Sequence, residues 1–469
     1  MIRPRALPYL LLCVMAAPAT AHGQTPGQAG PPQRLTLDQA IQYATDHYPT
    51  VRAALELVNA SAAAVDVAQS AYLPRLDSLW QSHRATANNV VGQVLPQGII
   101  PAVSGPVLSS TSSQSVWGSA TGALFSWEAL DFGLRHASVV SAQAALTQAR
   151  AGETVTRLDV QNAVAAAFLG VVAAERSVAA AQADLDRRNV LLQSVQTLVT
   201  NQLRPGADES RAEAERAAAQ TRLIQAEQTR IVAQTTLTRV LGTTVSGVTI
   251  SADPLLARLP SADITPAVVT AHPLAQARQA TVDQARAQEQ VVARTDLPRV
   301  FVQSSVFARG SGANPSGVFD GGVGGLGLDR ANWAAGVQIL FPNLFDFSSL
   351  RARKTAAAAS SRATVALYDE ALLSITHQQR TAAALLQTTR AIAANTPVQL
   401  AAARQSDMQA RARYDAGLAT ILEVAEAQSL LAQAEVQDEL ARVDVWRALL
   451  AAAVAQGDLT PLRTILRQP

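Results

Sequence analysis

The sequence predicts an α+β protein built from two internal repeats, each a β-hairpin set among long helices. Three observations carry that prediction. Leu-Pro-Arg occurs at 73–75 and again at 297–299, and each copy follows another proline by 25 residues: Pro49 before Pro74, and Pro273 before Pro298. Strand-like alternation begins just after each copy. Beyond the strands lie alanine-rich stretches of roughly seventy residues; alanine is the best helix former and lets helices approach closely.

Residues 1–21 read first as a secretory signal: Arg3 and Arg5, an apolar run from Leu7 to Ala17, then Ala19-Thr20-Ala21. The run is shorter than the ~20 residues a spanning helix needs. Leu12 is not the small residue that a lipidation signal places before a cysteine such as Cys13. Cleavage after Ala21 removes the single cysteine and two arginines but no acid, so the formal charge falls from +2 to zero. No thiol is then left for disulfides or thiolate metal sites, and no basic excess points to nucleic acid. No later stretch of ~20 consecutive apolar residues predicts a transmembrane helix, whereas membrane strands give a much weaker signal.

The first repeat, 22–242, opens with Thr36 and Gln39 spaced as a capping box before an apolar-periodic run. Its counterpart in the second repeat, 264–457, is Thr265-Pro266. Each helix is interrupted at Tyr48-Pro49 or His272-Pro273, because a residue before proline avoids the helical region. It resumes and stops at Leu73-Pro74 or Leu297-Pro298. In the hairpin at about 75–127, Leu76, Ser78, Trp80 and Ser82 alternate with Asp77, Leu79, Gln81 and His83. The hairpin at about 299–341 begins with the β-forming run Val300 to Phe307. Strands of ~10 residues suffice to cross an outer membrane when tilted.

Long helices follow, from Phe132 to Leu203 and from Phe347 to Tyr414, the second with a predicted break at Thr396-Pro397. At 1.5 Å per residue each spans ~105 Å. Arg204-Pro205-Gly206 and Tyr414-Asp415-Ala416-Gly417 turn the chain, with Gly206 and Gly417 expected in the left-handed conformation. Returning helices reach Gly242 and Gly457. Half-helix up, hairpin, long helix down and half-helix back make a unit of consistent height. Residues 243–263 read as an irregular belt at mid-height and 458–469 as a C-terminal tail.

Three segments, LTLDQAIQYATDHYP at 35–49, AYLPRLD at 71–77 and RYDAGLATILEVAEAQSLLAQAE at 413–435, resemble recurrent segments of the TolC-like outer membrane efflux proteins. The resemblance covers nearly the whole mature chain. It implies a homotrimer in which each chain gives four strands to one 12-stranded β-barrel and its helices to a long periplasmic α-helical barrel. It implies an exit duct of a tripartite efflux or type I secretion system, passive in itself, with outer membrane lipid around it. A periplasmic adaptor and an inner-membrane pump are the expected partners. The alternative, a periplasmic structural or adaptor protein without a channel, would have one helical hairpin and a lipoyl-like β domain; four long helical arms argue against it.

By position after Gly417, Glu423 and Glu426 match the acidic residues that narrow the family's tunnel. They are three apart, hence on one helix face, and threefold symmetry would set six carboxylates around a pore. On the residues alone they read as two ordinary glutamates on a solvated face; the gate is what the resemblance implies. Tyr414 matches a tyrosine that holds some family tunnels closed, but Ala419 and Ala212 stand where its cationic and acidic partners belong. Packing at the turn is its other reading. Gly206, Gly417, Leu418, Ala419 and Thr420 fall where an adaptor docks in the family, although the first tip, Pro205 to Ser210, departs from the usual Gly-Leu pattern.

Other features have plain readings. Gly322 to Gly327 fits a G-x-G-x-x-G string but precedes a strand, not a helix, so no nucleotide is expected. The histidines show no metal-ligand spacing and no nucleophile elbow occurs, so neither metal, cofactor nor catalytic residue is predicted. Trp80, Trp117, Trp127 and Trp333 read as an interfacial girdle or as barrel packing.

Overall fold

The structure, a computed structural model, describes residues 34–86, 113–243, 248–251, 255, 260, 264, 267–313, 322–342 and 345–467. The signal sequence, Thr265-Pro266, the first hairpin's tip loop and most of the 243–263 belt lie outside the described residues.

Helix α1 (Leu37–His47) starts at a full capping box: the Thr36 side chain accepts from Gln39 N, and Gln39 Oε1 accepts from Thr36 N. Tyr48 is extended, and α2 (Pro49–Ser70) restarts with proline at its first position, where the missing N–H is harmless. The second repeat differs here. A 3₁₀ turn, Val269–Ala271, precedes α5 (Pro273–Ala293). The two junctions are otherwise alike. The left-handed glycine that ends the first returning helix, Gly242 (φ +74°), lies against Tyr48 and Pro49, and its counterpart Gly457 (φ +78°) lies against His272 and Pro273. A Cβ on Gly457 would stand 2.3 Å from Pro273 Cδ, so only glycine admits the contact.

Strands β2 (Arg75–Thr86) and β5 (Arg299–Ser311) each begin one residue after the second proline of their repeat, Pro74 or Pro298. With β3 (Ser115–Leu130) and β6 (Arg330–Leu340) they form one antiparallel sheet in the order β2-β3-β5-β6, so the two hairpins join through β3 and β5. Strand alternation and register put Leu76, Trp80, Val306, Trp333, Val337 and Ile339 on one exposed apolar face. Asp77, Gln81, His83, Gln303, Arg309 and Gln338 share the other face.

Helix α3 (Leu134–Thr200) runs from the sheet to the far end of the molecule, and α4 (Gly206–Val240) returns half-way. Helix α6 (Phe347–Asp415) and α7 (Ile421–Gln456) repeat the pattern. Helix α6 passes unbroken through Pro397, contrary to the break its sequence predicts. Thr396, buried, donates from Oγ1 to Asp438 Oδ1 of α7 at 2.8 Å, so packing against α7 holds the helix together despite the missing backbone donor.

One core sits where the half-helices meet, with Leu35, Ile41, Phe168, Leu237, Val443 and Leu449 inside it. By length and composition α3 contains one window apolar enough to cross a membrane, of which 44% is buried within the chain. A two-stranded parallel ribbon, β1 (Arg34–Leu35) with β4 (Thr249–Ile250), and the bond from Trp446 Nε1 to Leu255 O tie the belt to this core. The C-terminal residues form α8 (Thr460–Arg467), and Arg463 pairs with Asp38 of α1.

Candidate functional site

The two helical turns at the end far from the sheet come together, although about 210 residues separate them. In the second turn the chain stops α6 with a Schellman arrangement: Leu418 N donates to Arg413 O at 2.8 Å and Gly417 adopts φ +77°. Thr420 then caps α7. Its Oγ1 accepts from Glu423 N, and Glu423 Oε1 accepts from Thr420 N at 3.1 Å.

The first turn works differently. Gly206 is not left-handed; it is the first residue of α4, and Gln202 (φ +57°) reverses the chain instead. Asp208 and Glu209 fall in the first turn of α4, where carboxylates favour the exposed N–H groups and the helix dipole.

This arrangement corrects the expectation that Tyr414 lacks partners. Its ring is 1% exposed, among Leu191, Val195, Ala212, Ala419, Ile421 and Val424. Its hydroxyl donates to Asp208 Oδ2 at 3.2 Å. The Arg204 guanidinium lies 4.3 Å from the ring centroid and donates to the Tyr414 carbonyl at 2.6 Å. Both the acid and the cation come from the first turn. Burial, and next the negative charge of Asp208, push the phenol of Tyr414 above its usual range.

Glu423 and Glu426 are both exposed on one face of α7. Glu423 is also the capping residue, and Arg413 stands 3.8 Å from its Oε2. Leu418 projects into solvent at 71% exposure, whereas Ala419 is buried beneath the turn at 6%.

Deeper along the helices lies a charge cluster that the sequence reading did not single out. Asp184, buried on α3, faces Arg188 of its own helix and accepts from Arg222 of α4 at 2.9 Å. Arg188, 1% exposed, also donates to Glu215 of α4, and Arg187 makes a two-pronged pair with Glu435 of α7. One segment of α3 thus fastens to both returning helices.

The profile of a family described as outer membrane efflux protein matches residues 40–243 and 268–457, most of the chain in two segments. No curated protein matches significantly. Among solved structures, VceC from Vibrio cholerae is similar with TM-score 0.70 and 19% identity, over 90% of this chain and 96% of that one. The Campylobacter jejuni CmeC outer membrane channel gives TM-score 0.73 and 13% identity over 92% and 89%. The open state of the Neisseria gonorrhoeae MtrE outer membrane channel gives 0.70 and 19% over 90% and 89%. At these identities the likeness speaks for the fold alone, and the family match supplies the rest: the chain belongs to the outer membrane efflux protein family, whose members are exit channels of the outer membrane.

Proposed function

We propose that three copies of this chain close their sheets into one 12-stranded barrel and their helices into a tunnel. In this reading the assembly is the passive duct of a tripartite efflux or type I secretion system. The observation that carries it is the sheet itself. It has four strands, β2 and β6 end it on either side, and one of its faces is apolar. Such an edge recruits another strand, and in a bilayer every backbone group must find a partner, so closure with further copies satisfies both demands. Residues 22–242 and 264–457 act as the two repeats, with 243–263 as belt between them.

The tips are the gate in this reading. Tyr414, Asp208 and Arg204 latch the second turn to the first, and Glu423 and Glu426 from three chains form a cation-favouring ring. Leu418, with Gly417 and Thr420 beside it, is the surface offered to a periplasmic adaptor; Gly206 belongs to the adjacent tip, and buried Ala419 supports the turn from below. Cross-linking the purified protein tests the assembly. A trimer band is the expected result, and a folded monomer that neither cross-links nor conducts in a bilayer rules the duct out.

A further inference from the structure

The face that carries Glu423 and Glu426 can be followed far up the helices. Ser429, Gln433 and Gln437 continue their stripe on α7, since steps of three, four and seven residues return to one helix face. Those side chains share a cleft of about 430 Å³ with Ser177 and Asp184 of α3. Three heptads nearer the sheet on α3, 21 residues from Ser177, Ala180, Ala181 and Asp184, stand Thr156, Asp159, Val160 and Ala163. A coiled-coil helix brings residues 21 apart onto the same side. The four line a second cleft, of about 280 Å³, closed by Tyr48, Thr50 and Val240 where α1, α2 and the top of α4 meet α3.

Asp159 is the charged member of that cleft. Glu153 is held by Arg157 at 2.6 Å and Asp184 by three arginines, whereas Asp159 has no ion pair or hydrogen bond among the described residues. Its side chain reaches solvent, yet the wall behind it removes enough water to push its carboxyl above the ordinary aspartate range. A carboxylate held this way gains from a cation brought next to it.

We propose that Asp159, Tyr48, Thr50 and Thr156 form a binding station for organic cations half-way along the tunnel wall, taking the protonated amine or quaternary ammonium head of a cargo molecule. The proposal rests on the duct reading for the side of the wall that faces cargo. The donor set selects the class. One carboxylate supplies the charge. The Tyr48 ring, Val160, Ala163 and Val240 supply the aromatic and aliphatic surface that an ammonium head prefers. A bare divalent cation wants six or more oxygens, and no group of three or more metal-binding side chains exists among the described residues. The volume admits a head group but lies just below the range of pockets that enclose a whole drug-sized ligand. The rest of the cargo would lie in the open tunnel.

Ethidium fluorescence with the purified full-length protein tests this directly. Wild type is expected to bind ethidium saturably, Asp159→Asn at least about tenfold more weakly, and Asp159→Glu near the wild-type level. Asp66→Asn, which removes an exposed carboxylate of α2 outside the cleft, is expected to bind as wild type does. Wild type without saturable binding, or Asp159→Asn binding as well as wild type, overturns the station. The readout needs no bilayer, so a missing channel conductance in a parallel recording strikes the duct reading and leaves Asp159-dependent binding to be judged by itself.

Discussion

Tyr414 is the residue on which the tips converge. Its hydroxyl bond to a carboxylate is the kind of charge-assisted contact worth about 1.5–3 kcal/mol, so Tyr414→Phe is expected to loosen the tip. The expected readout is faster amide exchange at 413–420 with exchange at the mid-height core unchanged. Because its phenol is raised above 10.0 in the folded protein, its contribution is fully present below pH 10.0 and is lost as pH rises through the higher folded value. Asp159 carries the same sign lower on the scale. Its folded carboxyl is raised above 3.8, so the fold favours the protonated form below pH 3.8 and gives that up as pH rises. Asp159→Asn should therefore raise the melting temperature at neutral pH, with a gain that vanishes near pH 3.8; a gain independent of pH would contradict the assignment. The two tip glycines separate as well. Gly417→Ala places a side chain at φ +77° and should cost about 1–2 kcal/mol, while Gly206→Ala, in helical backbone with open space around it, should cost nothing measurable. Glu423 and Glu426 share one exposed face of α7, as their spacing of three implies. The partners of Tyr414 were not legible in the sequence. Counting six residues from Gly206 lands on Ala212, but α4 begins at Gly206 itself, so it is Asp208, in the first turn, that reaches the tyrosine.

Among elements, the long helices were the most legible, because alanine-rich periodic runs between proline and glycine stops leave few alternatives. Pro397 misled because an X-Pro pair reads as a helix boundary, and the bond from Thr396 to Asp438 that overrides it joins residues 42 positions apart. Pro397 is exposed and mid-helix, so Pro397→Ala should stabilise α6 by about 1–3 kcal/mol, measured as a raised denaturation midpoint. The cluster around Arg188 was illegible for a related reason. Arginines and acids on α3, α4 and α7 look like ordinary surface charges until the three helices are brought side by side. A buried pair is weak evidence for stability, but removing one partner strands the other. Arg188→Ala is expected to cost about 1.5–3 kcal/mol, since Asp184 keeps Arg222 and Glu215 keeps Arg211. A change below 1 kcal/mol would mean that water already reaches the cluster.

At the scale of the whole molecule, the duplicated prolines have a physical role. Each first proline starts a helix against the glycine that ends a returning helix, and each second proline releases the chain into a strand. Two such units give four strands with an apolar face, and a tall helical body whose tips lie far from the sheet. The sheet order and register were not readable from alternation alone, because joining two hairpins through β3 and β5 is a contact between the repeats. In the proposed duct, a latch between the two turns shuts the tips. Single-channel recording in planar bilayers, comparing wild type with Tyr414→Phe/Asp208→Ala, tests it most directly. A small cation-selective conductance is expected in wild type, rising several-fold in the variant. Folded protein that never conducts, or a variant whose conductance equals that of wild type, would contradict it.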